Sequence, residues 1–348
     1  MQASNRGAEP GTKGSLAVVA GPNNRDPSLD DQEGAENPAG PRPKLVVVVG
    51  PTGVGKTRAA VELARRFDGE ITNADSRYLY RGFDIGVAKP TIIERRGVPH
   101  HLIDIVDPDE PMSLATYQEL AMAAISSTLA RGRLPFLVGG TPLYVNAVLE
   151  GWRIPRVAPD WAFRAALETE IAEHGLEPVT ERLAAVDPVA ATRAAGNARR
   201  IVRALEIHAA TGVPMSQQEG AGPRPFDTLE IALTLARPDL HARIDDRVDQ
   251  LIANGLVDEV RRLVEGGVAT DAPAMTSIGY RQLLPYLNGA STLDEAVQQI
   301  KTATHRYVRH QATWLRRNKR LVTIDVGDDG WLDRAAEHIS AFLKTPAP

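Results

Sequence analysis

The segment at residues 50–57 constrains the fold of this chain more than any other. It reads Gly-Pro-Thr-Gly-Val-Gly-Lys-Thr and follows an apolar run at residues 45–49 that is typical of a strand buried on both faces. Residues 58–67 continue with the apolar spacing of an amphipathic helix. A strand, a turn of the pattern G-x-x-x-x-G-K-[ST] and a helix together predict a loop that binds a diphosphate or a triphosphate.

Each residue type in this loop has a physical role in binding phosphate. Glycines let successive backbone N–H groups converge on one anion, and the N-terminus of the following helix adds a favourable dipole. The lysine supplies positive charge to the phosphate oxygens, and the last hydroxyl can ligate Mg²⁺. The predicted phosphate-binding residues are Gly50, Pro51, Thr52, Gly53, Val54, Gly55, Lys56 and Thr57, with Thr57 as the metal ligand.

The pattern then alternates between strands and helices. Residues 70–74 and 134–138 are further strand candidates, and an Ala-rich helix is expected between them at residues 114–130. Residues 229–235 alternate as a strand again. This alternation predicts an α/β fold, in which a parallel sheet of the P-loop NTPase type has helices on both faces.

A purely helical stretch interrupts the alternation. Helices are expected at residues 161–174, 177–185 and 197–211, with no strand pattern among them. Two long helices, from about 240 to 264 and from 293 to about 317, follow later. We therefore predict an unstructured tail rich in Gly, Pro, Asn and Asp at residues 1–42. A catalytic core follows in two segments, 43–151 and 226–348, and a helical insertion domain at 152–225 lies between them.

Asp75 is the acidic residue best placed for chemistry beside the loop. It follows the strand at residues 70–74, and the carboxyl ends of parallel strands border the ligand site of an open α/β sheet. On position alone, a capping role for this residue is an equally good interpretation. The strand at residues 134–138 ends in Gly-Gly-Thr without the second Mg²⁺ carboxylate that is usual in a kinase. The threonine there, Thr141, is expected on its own to cap the next helix.

Positive charge is concentrated in the C-terminal part of the last long helix. Residues 301–320 hold seven Lys and Arg and no acid, whereas the chain has a net charge of −4, so the remainder carries −11. Tyr307 and Trp314 are interleaved, a pattern typical of nucleic-acid binding. The alternative, a basic helix that packs its apolar side chains into the core, can hold on the opposite face. A second basic patch, in the insertion, consists of Arg199, Arg200 and Arg203.

Composition excludes several classes of protein. The chain has no cysteine, which rules out disulfides, thiolate catalysis, iron–sulfur clusters and Cys-based zinc fingers. No apolar run approaches the ~18–20 residues of a membrane span, and the N-terminus lacks the apolar stretch of a signal peptide. We expect a cytoplasmic protein with no membrane partner, and a monomer by default. His100 and His101 are adjacent in an extended segment and point to opposite faces, so structural roles are favoured over metal binding.

Several motifs, in chain order, resemble the tRNA dimethylallyltransferase family, whose members are also called tRNA isopentenyltransferases. They include the loop, Asp-Ser-Arg-Tyr at 75–78 and Val-Gly-Gly-Thr-Pro-Leu-Tyr at 138–144, and they continue at residues 84–90, 99–104, 199–206, 277–282 and 311–317. The resemblance runs from about Lys44 to Arg320. It is to the bacterial members, because eukaryotic relatives add a Cys/His zinc finger.

The resemblance implies an alkyl transfer. A dimethylallyl group moves from dimethylallyl diphosphate to the exocyclic amine of the adenine 3′-adjacent to the anticodon of tRNA, and diphosphate leaves. It assigns catalysis to Thr52, near the reacting centre, and to Asp75, the candidate general base, with Mg²⁺ as the cofactor. It also implies a diphosphate-stabilising arginine, for which we favour Arg247 over Arg243. Without the resemblance, the pattern favours a solvated helical face for these two arginines.

For the RNA, the resemblance implies that the target adenine is flipped out of the anticodon stem-loop into the pocket. Its contacts would be Asp75, Ser76, Arg77 and Tyr78, with Thr141 and Arg164 as further contacts. The basic patches would add Arg199, Arg200 and Arg203 as a clamp on the stem, and Arg309 and Arg316 as phosphate contacts. Three alternatives remain at this point: a P-loop phosphotransferase that binds ATP, a prenyl transferase acting on free adenine nucleotides, and a non-catalytic RNA-binding module.

Overall fold

A parallel sheet of six strands organises the computed structural model, which describes residues 40–346. The strands are β1 (Lys44–Val49), β2 (Gly69–Asn73), β3 (His100–His101), β4 (Leu134–Val138), β5 (Asp227–Thr234) and β6 (Val322–Asp325). They lie in the order β3-β2-β4-β1-β5-β6, and each neighbouring pair is parallel. The predicted α/β class with a parallel sheet is confirmed.

Helices connect the strands and cover the sheet. Those before the insertion are α1 (Lys56–Arg66), α2 (Ile92–Arg95), α3 (Leu114–Ala130) and α4 (Pro142–Leu149). The insertion contains α5 (Trp161–His174), α6 (Glu177–Val186), α7 (Pro188–Ala194), α8 (Ala198–Thr211) and α9 (Met215–Gln218). The helices after it are α10 (Arg237–Ala253), α11 (Leu256–Glu265), α12 (Tyr280–Leu287), α13 (Leu293–Arg317) and α14 (Trp331–Lys344).

The centre of the sheet explains the apolar run of the sequence. Alternate side chains of β1 enter two different clusters: Leu45 and Val47 join one, and Val46 and Val48 join the other. All four are fully buried, as expected for a strand covered by helices on both faces. From β1 the chain continues to β2, β3 and β4 on one side, while β5 and β6 lie on the other. Ligands of open α/β sheets bind beside the carboxyl ends of the strands at such a reversal.

The insertion has a hydrophobic cluster of its own. Leu167 of α5, Leu183 of α6 and Ile201 of α8 are among its buried members, and none of them belongs to the two sheet clusters. An isolated antiparallel bridge between Arg153 and Gly220 joins the beginning of the insertion to its end. The domain boundaries themselves stay predictions, and the predicted tail at residues 1–42 lies almost wholly outside the described residues.

The expected helix from about 240 to 264 was wrong. The structure has two helices there, with Asn254 and Gly255 between them, and Gly255 has a φ of +96°. A glycine in this left-handed region ends a helix, so the Asn-Gly pair should have been interpreted as a stop. By contrast, α3, α5 and β4 have the bounds that the sequence predicted. Among residues 40–346, no helix is both long enough and apolar enough to cross a bilayer.

Candidate active site

The predicted phosphate-binding loop, residues 50–57, connects β1 to α1 at the carboxyl edge of the sheet. Gly50 packs so tightly that a Cβ there would lie 2.7 Å from the backbone oxygen of Leu233. The first N–H groups of α1 have no partner within the helix, which makes them donors for an anion. Lys56 folds back over the loop, and its Nζ donates a hydrogen bond of 3.0 Å to the Pro51 carbonyl. The loop thus has the donors that a diphosphate requires.

The charge of Lys56 is shaped by its surroundings. Burial lowers the pKa of Lys56 from 10.5 to about 8, Asp75 raises it, and Arg247 lowers it further. These influences mean that the Asp75 carboxylate and the Arg247 guanidinium are close enough to the lysine to interact with it. The structure therefore brings together Lys56 and Asp75, which the sequence pattern assigned to chemistry, and Arg247, which the family resemblance assigned.

Asp75 is held in a turn immediately after β2. The Asn73 side chain accepts a hydrogen bond from the Asp75 N–H and donates one to the Asp75 carbonyl, both at 2.9 Å. Oδ1 of Asp75 accepts from the N–H of Arg77 at 2.9 Å, which is the capping contact that its position alone suggested. Oδ2 takes part in none of the hydrogen bonds found within residues 40–346. One carboxylate oxygen thus orients the group, and the other remains available to a substrate.

Thr141 corrects the capping prediction. It precedes α4, but its side chain forms no capping hydrogen bond. Instead, its Oγ1 accepts from the N–H of Ser76 at 3.0 Å, and its own N–H donates to the Ala74 carbonyl at 3.2 Å. Close packing makes this possible, because a Cβ on Gly139 would lie 2.2 Å from the backbone of Ala74. Thr141 therefore connects the end of β4 to the Asp75 turn by hydrogen bonds.

Arg247 is the member of the arginine pair that faces the site. Its Nη2 donates to the Val87 carbonyl at 3.3 Å, and it influences the pKa values of both Lys56 and Tyr78. Arg243, one turn earlier on α10, is exposed. The preference for Arg247 over Arg243 agrees with this placement.

Tyr78 and Arg77 are fixed by the walls of the site. The Tyr78 hydroxyl donates to the Ala88 carbonyl at 3.0 Å. Burial raises the pKa of Tyr78, Asp75 raises it further, and Arg247 and the Thr57 hydroxyl act in the opposite direction. Arg77 donates through Nη1 to the Pro273 carbonyl and to the Thr276 hydroxyl, both at 3.2 Å. Tyr78 thus lies among the loop, Asp75 and Arg247, while Arg77 reaches towards the segment before α12.

Two residues of α13 belong to the site and were not predicted as site residues. Gln311, only 2% exposed, accepts a hydrogen bond from the Thr52 N–H and donates one to the Gly140 carbonyl, both at 2.9 Å. The Tyr307 hydroxyl donates to the same carbonyl at 3.3 Å. Burial raises the pKa of Tyr307, and Asp75 raises it further. Tyr307 and Gln311 are four residues apart, which places both on one face of a helix, and this spacing was the sequence signal that could have identified them.

The exposed face of α13 carries the basic residues. Arg306, Arg309, His310, Arg316 and Arg317 are exposed, whereas Thr304, Val308, Gln311 and Leu315 are buried. Nearer the start of the basic segment, Lys301 pairs with Asp249 of α10 at 2.8 Å, and His305 Nε2 lies 3.0 Å from Oδ1 of Asp245 on the same helix. The two interpretations of this helix, core packing and a basic surface, therefore both apply, on opposite faces.

The arginines of the insertion have different environments. Arg164 forms a bidentate ion pair with Glu206, in which both hydrogen bonds are 2.7 Å long. Arg203 donates to Glu206 as well, at 2.5 Å. Arg203 also donates to the Val157 carbonyl at 2.9 Å. Arg200 donates to the Arg193 carbonyl at 3.2 Å, and Arg199 is exposed. Arg164 and Arg203 thus hold the start of the insertion against α8, and their assignment to tRNA stays a prediction.

Two further sequence motifs are joined by a buried lysine. Lys89 donates to Asp84 at 2.7 Å, to Asp104 at 2.5 Å and to the Tyr80 carbonyl at 2.8 Å. Its side chain is 3% exposed, so these three acceptors compensate a buried charge. The motifs at residues 84–90 and 99–104 therefore meet at one structural contact.

The adjacent histidines face separate partners. His101 Nε2 lies 2.7 Å from Glu70 Oε2, and His100 Nδ1 lies 2.9 Å from the Val98 carbonyl. Hydrogen bonds from Arg131, together with those from His101 and Thr128, lower the pKa of Glu70 to about 2.

A magnesium ion fits the site only together with a diphosphate. Within residues 40–346, no group of three or more His, Asp or Glu side chains could hold a metal by itself. Mg²⁺ usually keeps several waters and binds through one or two protein groups and the substrate phosphates. Thr57, at the start of α1 beside Lys56, offers a hydroxyl oxygen of this kind. The donor set suits an ion shared with the ligand.

Comparisons with known proteins identify the family. The model of the family described as IPP transferase matches residues 78–318. The chain belongs to this family. A tRNA dimethylallyltransferase of Thermomicrobium roseum is 53% identical over 304 residues, which cover 87% of this chain and 92% of that protein. One of Roseiflexus sp. is 55% identical over 300 residues, with coverage of 86% and 98%.

Solved structures of the IPP transferase family share the fold. A tRNA isopentenylpyrophosphate transferase of Bacillus halodurans, 41% identical, has a TM-score of 0.66 and covers 86% of this chain and 97% of its own. A eukaryotic dimethylallyltransferase acting on tRNA, 28% identical, has a TM-score of 0.76, with coverage of 86% and 79%. The predicted family and enzyme class, a transferase of bacterial type, are confirmed.

Proposed function

We propose that this enzyme transfers a dimethylallyl group from dimethylallyl diphosphate to the exocyclic amine of the adenine 3′-adjacent to the anticodon in tRNA. The observation that carries the proposal is the meeting of Lys56 in the phosphate loop, Asp75 and Arg247 at one edge of the sheet. A loop that binds a diphosphate thus adjoins a carboxylate that can accept a proton. The names of the similar proteins support the same reaction.

The loop holds the leaving group. Backbone N–H groups and Lys56 bind the diphosphate oxygens, and Arg247 adds a second positive charge. Thr57 would hold Mg²⁺ jointly with the diphosphate, and the ion would neutralise part of its charge. As the bond between the allylic carbon and the diphosphate oxygen breaks, the electron pair leaves with the oxygen. These groups stabilise that growing charge.

Asp75 acts on the nucleophile. The exocyclic amine of adenine is a poor nucleophile because its lone pair is delocalised into the ring. When its nitrogen bonds to the allylic carbon, one proton must leave, and the carboxylate of Asp75 takes it. The turn formed with Asn73 and Arg77 fixes the orientation of this carboxylate. The products are a secondary amine and free diphosphate.

The RNA must reach this site from the surface. The target base stands in a loop and must be turned out of its stack to meet Asp75. Residues 75–78 and Thr141 form the proposed base pocket, because Ser76 and Thr141 are hydrogen-bonded at the carboxyl edge of β2 and β4. The exposed arginines of α13, Arg309 and Arg316 among them, supply positive charge for backbone phosphates. We further propose that the enzyme is a cytoplasmic monomer.

The deciding experiment follows radiolabelled dimethylallyl diphosphate with Mg²⁺ into unmodified tRNA and, in parallel, into AMP. We expect label in tRNA alone, and Asp75→Ala should lower turnover by about 10²–10⁴-fold with little change in tRNA affinity. Label in AMP alone would favour transfer to free nucleotides. Absence of label from both, with phosphate transfer from ATP, would favour a phosphotransferase. A near-normal rate in Asp75→Ala would refute the role of this residue as the base.

A further inference from the structure

Three hydrogen bonds, with the peptide link between Gly140 and Thr141, connect the leaving-group half of the site to the base half. This path begins at the Thr52 N–H, passes through the Gln311 side chain to the Gly140 carbonyl, and continues from Thr141 to the N–H of Ser76. Ser76 is the neighbour of Asp75. The loop and the Asp75 turn belong to different strands, and Gln311 bridges them from a helix 259 residues after Thr52.

We propose that Gln311 is a positioning residue for the transfer reaction, which sets the phosphate loop and the Asp75 turn at the separation that chemistry requires. This inference rests on the proposed function. It assigns to α13 a task in the chemical step, in addition to the basic surface that the helix presents on its other face.

A glutamine suits this bridge for two reasons. Its side-chain amide contains both a donor and an acceptor, which the Gly140 carbonyl and the Thr52 N–H require respectively. Its fit is also close: a Cβ on Gly140 would lie 2.5 Å from the Gln311 nitrogen. Tyr307 donates to the same carbonyl one turn earlier. Removing the amide would therefore leave the partly buried Thr52 N–H without its acceptor and the buried Gly140 carbonyl with Tyr307 alone, so the loop could shift.

The expected consequence is a loss in the chemical step rather than in binding. Misplacing reacting groups by about 1 Å costs about 10²-fold in rate. In Gln311→Leu we expect kcat to fall by about 10²-fold. The dissociation constants of dimethylallyl diphosphate and of an anticodon stem-loop should stay within about threefold, because the charged side chains that bind the two ligands, Lys56, Arg247 and the exposed arginines of α13, are all retained in the variant.

Gln311→Glu provides a pH-dependent test. An ionised carboxylate still accepts from Thr52 but cannot donate to the Gly140 carbonyl, whereas the protonated acid can do both. The facing groups are the neutral Tyr307 hydroxyl, the Gly140 carbonyl, the Lys56 ammonium, the Asp75 carboxylate and the Arg77 guanidinium. Burial raises the pKa of the introduced carboxyl and the Lys56 ammonium lowers it. The kcat of Gln311→Glu relative to wild type should be low wherever this carboxylate is ionised and should recover as the pH falls through its pKa, and a ratio near 1 at every pH would contradict the bridge.

Gln118→Leu is the matched control. Gln118 of α3 forms a similar amide contact away from the site, donating to the Ala147 carbonyl at 2.7 Å and to the Trp152 carbonyl at 2.9 Å. This variant should lower the melting temperature without changing kcat by more than about threefold. If Gln311→Leu instead retains kcat within threefold, or loses both affinities in parallel with kcat, Gln311 has no specific positioning role.

Hydrogen exchange separates this proposal from the proposed function. In Gln311→Leu the Thr52 amide loses its acceptor, so peptides covering residues 50–57 should exchange about 2–10-fold faster. In Gln118→Leu they should exchange as in wild type. If wild type transfers no label but this difference appears, the bridge holds the loop and only the proposed reaction fails. Unchanged exchange in Gln311→Leu would overturn the bridge whatever the reaction.

Discussion

Two groups of cationic side chains in this molecule differ in what neutralises them. In the insertion, Arg164 and Arg203 share the carboxylate of Glu206. At the carboxyl edge of the sheet, Lys56 and Arg247 donate to backbone carbonyls, and neither belongs to any ion pair within residues 40–346. The first group is complete without a ligand. The second has positive charge that an anion can neutralise.

The pKa values express the same difference. Burial alone would raise the pKa of Glu206, but hydrogen bonds from Arg164, Arg203 and the Asp160 N–H lower it to about 2. Burial lowers the pKa of Lys56 to about 8, because Asp75 compensates only part of the cost. Positive residues in a sequence therefore do not by themselves mark a binding site. The position of the nearest carboxylate decides whether they do.

Removing the charge of Lys56 should have the largest effect. Lys56→Ala should lower kcat/KM by about 10²–10³-fold, because a partly buried positive charge that stabilises the leaving diphosphate is lost. It should also weaken the binding of diphosphate itself, measured by calorimetry. The control is Arg58→Ala, which removes an exposed charge from the same turn of α1 and should change kcat/KM by less than about threefold. Equal effects of Lys56→Ala and Arg58→Ala would show that Lys56 acts only as general surface charge.

Removing the carboxylate of the insertion should affect stability instead. In Glu206→Gln, two arginines lose their buried anionic partner, so the free energy of unfolding should fall by about 2–3 kcal/mol. The exposed pair of Glu170 and Arg182 gives the control, and Glu170→Gln should cost less than about 1 kcal/mol. Thermal unfolding compares the two variants. Similar melting temperatures for both would show that the cluster is not a structural anchor.

The pKa of Lys56 predicts how binding depends on pH. A bound diphosphate favours the protonated lysine, so above about pH 8 the free site must take up a proton on binding. The dissociation constant should therefore rise by up to tenfold per pH unit above pH 8, relative to Lys56→Ala. Because the ionisation of diphosphate affects both proteins alike, it cancels in the ratio of their dissociation constants. Calorimetry between pH 7 and 9.5 measures both constants. A constant ratio would show that the lysine does not contact the anion.

The lowered pKa of Lys56 also makes the stability of the unliganded protein depend on pH. Between pH 8 and 10.5 the unfolded chain retains the proton of Lys56 more than the folded chain does. The contribution of Lys56 to the free energy of unfolding therefore rises with pH in this window. For Glu206 the pKa is lowered on folding, so its contribution is present above pH 4.5 and is lost as the pH falls towards 2.

The sequence predicted the loop and the long elements around it, because each carries a strong local pattern. The strand at β1 is apolar throughout, and α13 is amphipathic over 25 residues. The short strand β6 and the helix α14 after it were not predicted. Only one residue of β6, Ile324, is buried, so the strand lacks the apolar run of β1.

Long-range contacts account for what was missed at the site. A glutamine on a basic helix looks like any polar residue, and only the folded chain brings Gln311 to Thr52. Likewise, Arg164 was expected as an RNA contact, and only the folded chain brings it to Glu206, 42 residues later. Thr141 has the sequence of a helix cap, but the close packing of Gly139 against Ala74 directs its hydroxyl to Ser76. These roles depend on neighbours distant in sequence.

The exposed arginines of α13 should give the smallest effect, because solvent and salt screen them. Arg309→Ala with Arg316→Ala should reduce the slope of log K for tRNA against log salt by about 1–2, because fewer RNA phosphates are then neutralised by the protein. The control removes Arg65 and Arg66, which are also exposed but pair with Glu62 and Asp333. That control should leave the slope unchanged. If both double variants lower the slope equally, tRNA responds to total charge, and the surface of α13 has no specific part in binding.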